Sequence, residues 1–189
     1  GKNRYLTEIR NLKNELKDNW IYFGPHALDH NSPPHKFSVN DQKEHVNKIY
    51  DQIYRFAGKK NITKKVRLHE YSECYELQRL FKKHKVNTLF STDKNVGSHR
   101  LPKKYKTDLV LTGETKYNNM YFRRTDFRIE NLDKNINKNY IKFYNISKKR
   151  KFITIYSHEY ELKKKNIKKI LNDNISLLSR KFDLISIKP

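Results

Sequence analysis

Two histidines four residues apart, His26 and His30, stand just after the apolar run Trp20–Phe23 and its closing Gly24–Pro25. A helical turn through that segment would face both imidazoles one way, which suits a shared metal ion. A pair of surface-loop histidines is the plainer account of the same spacing, because a closed metal site takes more than two ligands. Asp29, between them, is a candidate ligand or orienting carboxylate. Further on, strand alternation sends Arg67 and His69 to one face and Glu70 to the other. An arginine–carboxylate ion pair holding loops together is the competing account there. His158 ends the apolar run Phe152–Tyr156. A histidine so placed is suited to general acid catalysis, because its ordinary pKa lies near neutrality. A half-buried histidine bonded to backbone is the alternative. Asp126 and Glu130 share one short segment with Arg123, Arg124 and Arg128. That cluster suits either the grip of a carboxylate or a sugar substituent, or a buried network behind the site. Asp93 follows another apolar run and is a further candidate.

The elements that must position these groups can be read from periodicity. Leu6, Ile9, Leu12 and Leu16 have helical spacing, and Trp20–Phe23 reads as a short buried strand. Ser38 followed by Asp41 resembles a capping box. Val46, Ile49, Tyr50, Ile53 and Ala57 then mark one helix face, which Gly58 would end. Val66–Tyr71 and Val86–Phe90 read as strands, with a helix carrying Cys74, Leu77, Leu80 and Phe81 between them. The stretch around 94–120 breaks the rhythm with Gly97, Pro102 and Gly113. It reads as an inserted loop or hairpin with a β-like piece at Leu109–Leu111. Tyr121–Ile129 reads as a strand, and 131–139 as a polar linker or short helix. Phe152–Tyr156 is the strongest strand signal, followed by a helix over about 161–180 and a closing strand at Leu184–Ile187. Such alternation predicts an α/β fold with parallel strands covered by helices, and one domain over residues 1–189. The polar candidates gather beyond the carboxyl ends of the strands, where α/β folds place their sites.

Composition narrows the function classes. Forty-two Lys and Arg against twenty Asp and Glu leave a net charge of +22. The charge fraction of 33% resembles disorder, but 13 Tyr, 10 Phe and spaced aliphatic residues supply a core. One cysteine excludes an intrachain disulfide and a cysteine-built zinc site. No apolar run is long enough for a membrane span, and the first residues lack a signal-peptide core, so a cytoplasmic location is expected. There is no Gly-rich phosphate loop and no nucleophile elbow around Ser72 or Ser157. The positive charge invites a nucleic-acid reading, but helix-turn-helix, ribonucleoprotein and finger signatures are lacking, and Arg is scarce beside Lys. Weak attraction of anionic partners, including phosphorylated or uronic glycans, is expected instead.

Taken in order, His26-Ala-Leu-Asp-His30, Arg67-Leu-His-Glu-Tyr71, Phe90-Ser-Thr-Asp93 and Ile155-Tyr-Ser-His-Glu159 resemble the polysaccharide deacetylases of the NodB-homology type. The segments Arg55–Gly58 and Thr125–Asn131 are similar to a divergent group from surface-polysaccharide and O-antigen gene clusters. The likeness spans about residues 20–187; each motif is short, and its strength lies in their order. It implies a partial or distorted (β/α)7 barrel and a metal-dependent hydrolase that removes an N-acetyl group from an acetamido sugar or polysaccharide. By the resemblance His26 and His30 hold a divalent metal, zinc first. His158 is the general acid, and Arg67 orients the catalytic aspartate. Asp126 is carried as a catalytic candidate, and His69, Tyr71, Asp93 and Arg128 as substrate contacts.

Three departures qualify that expectation. The family opens with a strand carrying two aspartates, and no such segment precedes His26, so the chain is expected to be the C-terminal portion of a longer barrel. His69 and Glu70 replace the family's proline-rich turn, and Glu159 stands for an aspartate. A catalytically inactive glycan-binding or polysaccharide-assembly protein of the same fold is therefore the first alternative. A basic nucleic-acid-binding domain is the second.

Overall fold

A computed structural model of the chain describes residues 22–28, 31, 33–71, 75–92, 100–150, 152–158 and 161–183. Its longest helix, α1 (Val39–Phe56), starts at Ser38, whose Oγ accepts from the backbone N–H of Asp41 at 3.2 Å. The same hydroxyl donates to the Asp41 carboxylate, so the expected cap forms, and it contributes about 1 kcal/mol. Val46, Tyr50 and Ile53 fall on one face and are buried, as is Ala57 at the helix end. Each buried side chain of that size contributes roughly 1.5–3 kcal/mol.

The alternation of helices and strands builds a mixed α/β architecture. Strands β1 (Lys65–Val66), β2 (Thr88–Ser91), β3 (Glu114–Tyr117) and β4 (Met120–Arg124) form a sheet of order β1-β2-β4-β3. β1, β2 and β4 are mutually parallel, and β3 returns antiparallel to β4. Helix α2 (Gln78–Lys83) joins β1 to β2. Helix α3 (Lys103–Thr112) lies between β2 and β3. The β3–β4 turn uses Asn118 and Asn119 at φ 48° and 60°, the left-handed pair that a tight two-residue hairpin needs and that Asn tolerates. Two further strands, β5 (Phe127–Arg128) and β6 (Ile155–Tyr156), pair in parallel as a second small sheet. Helix α4 (Ile136–Ser147) and helix α5 (Lys165–Leu178) pack beside it. Among the described residues no helix is long and apolar enough to cross a membrane.

Several expectations change at their edges. Leu109–Leu111 is helical, not β-like: Pro102 stands at the N-cap position of α3 without a side-chain cap, and Gly113 at φ 83° ends the helix. Leu109 alone of the three is fully buried and Leu111 is 62% exposed, as a helix requires of consecutive apolar residues. The strand expected over Val66–Tyr71 stops at Val66, because the backbone turns through a 3-10 turn at His69–Tyr71. The run Phe152–Tyr156 pairs only at its last two residues. Of the two readings of 131–139, linker or short helix, its end is helical: it enters α4, which Asn135 caps by accepting from the Asn137 N–H at 3.0 Å. Phe23 makes one parallel bridge, to Ile62, at the end of the strand expected from Trp20. Trp20, Ile21, the helix expected near the start and the strand at Leu184–Ile187 lie outside the described residues.

Candidate functional site

The parallel direction of β1, β2 and β4, and of β5 with β6, decides which residues follow the carboxyl ends of strands. His26 follows the Phe23 bridge, and Arg67 and His69 follow β1. Glu130 follows β5, and His158 follows β6. Gly24 lets the His26 segment run close to β1 and the residues before it, since a Cβ there would lie 2.6 Å from Thr63 Cγ2 and 3.3 Å from Val66 Cγ2.

His26 and His69 meet. The His69 backbone N–H donates to the His26 carbonyl at 2.8 Å, which ties the two loops together. His26 Nδ1 lies 2.8 Å from the Arg67 carbonyl oxygen. A carbonyl only accepts, so Nδ1 carries the proton, and neutral His26 bears its lone pair on Nε2. That Nε2 faces His69 Nδ1 at 3.1 Å, with the rings at 74°. Directly after His69, Glu70 has φ 51°, a left-handed conformation that a glutamate adopts only where its surroundings hold it. The Glu70 carboxylate lies 3.9 Å from His35. A ring nitrogen held by a backbone carbonyl is common among metal-bound histidines, and the other nitrogen of exposed His26 faces His69. Among the described residues no group of three or more His, Cys, Asp or Glu gathers as a metal site.

His158 is held from the other sheet. Its Nδ1 lies 2.7 Å from Glu130 Oε1, and Ser157 Oγ donates to Glu130 Oε2 at 3.2 Å. A carboxylate accepts, so His158 Nδ1 donates. Tyr156 connects this pair to β1. Its ring centroid is 6.0 Å from that of His158, 5.8 Å from the Arg67 guanidinium carbon and 5.6 Å from that of Arg128. Arg67, Arg128 and His158 therefore surround one aromatic ring.

Asp126 has a different setting. Its side chain is 2% exposed and ion-paired to Arg150, with Arg124 Nε at 3.8 Å. Its second oxygen accepts from the Thr154 N–H at 2.9 Å, while its own N–H donates to the Thr154 carbonyl at 2.9 Å. Burial pushes its carboxyl above the ordinary value, opposed by the Thr154 N–H and by Arg150 and Arg124. Arg150 also donates to the Val110 carbonyl at 2.6 Å, at the end of α3.

Of the residues singled out from sequence, His26 and His69 come together, and Arg67, Arg128 and His158 gather around Tyr156. Asp126 stands in the latch between β5 and the residue before β6. Tyr71 ends the 3-10 turn that carries His69. His30, Asp29 and Asp93 lie outside the described residues. Sequence reasoning gave Tyr156 no part and left Glu130 without a particular one. The signal for Glu130 is the β5–β6 register: Arg128 opposes Tyr156, and two residues on, Glu130 meets His158. No protein-family model, curated protein or solved structure matches the chain.

Proposed function

We propose that this protein is a metal-dependent hydrolase that removes the N-acetyl group from an acetamido sugar or polysaccharide. The observation that carries the reading is the Glu130–His158 pair beside the Tyr156 ring that Arg67 also approaches. On this reading the two sheets are parts of a distorted (β/α) barrel of the deacetylase type.

The residues present fit a divalent cation, because His26 offers Nε2 while its Nδ1–H is fixed by the Arg67 carbonyl. When bound, a zinc-like ion lowers the pKa of a coordinated water and polarises an amide carbonyl. The remaining work falls to the chain. Glu130 holds His158 through Nδ1, which orients the ring as a general acid toward the departing sugar amine. Arg67 and Arg128 lie on the Tyr156 ring, where they can hold polar or anionic substituents of the sugar. Asp126 acts through the backbone, keeping residue 154 and thus β6 in register with β5.

The test is acetate release from N-acetylated glycans by zinc-loaded protein. His158→Ala should lower the rate about 100-fold or more, the usual worth of a positioned general acid. Undiminished release from His158→Ala would overturn the reading. Glycan binding without any acetate release would replace the enzyme with a glycan-binding protein of the same fold.

A further inference from the structure

We infer that His69 is a metal ligand, sharing one divalent first-row cation with His26. The inference deepens the hydrolase reading and rests on it for the chemistry, though not for the geometry. Two nitrogens bound at 2.0–2.1 Å to one tetrahedral zinc stand roughly 3.3 Å apart. His26 Nε2 and His69 Nδ1 stand 3.1 Å apart.

The ring positions add a second constraint. A straight N–H···N bond at that separation would put the imidazole centroids roughly 5.4 Å apart, and two imidazoles on one tetrahedral ion roughly 5.2 Å apart. The observed centroid separation is 5.0 Å. At least one ring is therefore bent off the line that joins the two nitrogens, and the separation is near that of two imidazoles on one ion.

The support around the pair has the same character. The Arg67 carbonyl fixes the His26 tautomer so that Nε2 faces the shared point. The His69 N–H bond to the His26 carbonyl sets the distance between the two loops. The left-handed Glu70 turns the chain sharply just after His69, which holds the ring at that loop rather than continuing strand β1. Imidazole donors suit zinc, copper, nickel or iron rather than magnesium or calcium.

The experiment uses the full chain, stripped of metal and titrated with zinc by calorimetry, with X-ray absorption to count imidazole ligands. His26→Ala and His69→Ala should each weaken zinc at least about 100-fold and remove one imidazole from the spectrum. His69→Gln separates the two accounts of the pair, because its amide N–H can still donate to His26 Nε2 but binds zinc poorly. Loss of zinc in His69→Gln, with thermal unfolding of the metal-free variant unchanged, is the expected result. Wild-type zinc affinity and imidazole count in that variant would overturn the inference, as would wild-type protein that takes up no zinc. Acetate release is scored separately. Zinc lost in both histidine variants, from a wild type that releases no acetate, leaves the cation site standing and removes the deacetylase. Acetate release with zinc untouched by His69→Gln does the reverse.

Discussion

The two sheets are held by different forces. The four-stranded sheet rests on one apolar cluster in which Tyr50, Phe81, Leu89, Leu109, Met120 and Phe122 are fully buried. The β5–β6 sheet has, among the described residues, a smaller apolar cluster behind it, built on buried Leu132, Phe143 and Leu178. Its place beside the first sheet depends on polar contacts: Asp126 with Arg150 and the Thr154 backbone, and Thr125 Oγ1 to the Ser91 carbonyl at 2.7 Å. Burial of apolar area is non-directional and tolerates small shifts, whereas hydrogen bonds demand one register. The sheet that carries Arg128, Tyr156 and His158 is thus the less cohesive of the two and the more exactingly aligned.

That contrast can be challenged by substitution. Phe122→Ala in the large core should cost about 3–5 kcal/mol, through lost burial and the cavity left behind. Since domains are stable by only about 5–15 kcal/mol, urea unfolding should show a large fall in midpoint. A loss under 1 kcal/mol would mean that the cluster is not the main source of cohesion.

Asp126→Ala should cost about 3 kcal/mol, because it leaves Arg150 buried without its carboxylate. Its signature should be local: amide exchange should speed first at Ile155 and Tyr156 while Leu89 and Phe122 stay protected. Uniform loss of protection would show that both sheets unfold as one unit.

The large core carries a pH-dependent element of its own. His84 stacks on the buried Tyr50 at 3.6 Å between ring centroids and bonds the Tyr54 hydroxyl. Burial, and then the Lys83 charge, hold its pKa below the ordinary 6.5. The unfolded chain therefore takes up the proton first. The contribution of His84 is present above pH 6.5 and is lost as the pH falls through its lowered folded value. Thermal melts between pH 7 and pH 5 should show falling stability, and His84→Phe should flatten that slope. An unchanged slope in the variant would assign the effect to other groups.

The smallest effect is expected at the site-bearing turn. Glu70→Gly should raise the stability of metal-free protein by up to about 1 kcal/mol, because glycine adopts φ 51° without steric cost. A loss of 1 kcal/mol or more would mean that the Glu70 side chain, near His35, outweighs the strain of its backbone.

The sequence alone determined α1 with its Ser38 cap, the alternation of helices and strands, and the candidate status of His26, Arg67 and His158. Those features depend on residues within one or two turns of each other, so local spacing encodes them. It did not determine that Leu109–Leu111 is helical, since a short apolar run suits strand and helix equally. Nor did it show that His69 faces His26 from 43 residues away, or that Glu130 faces His158 from 28. Those meetings follow from which strands pair and in what register. Strand pairing is settled by burial across the whole chain, which no local pattern records.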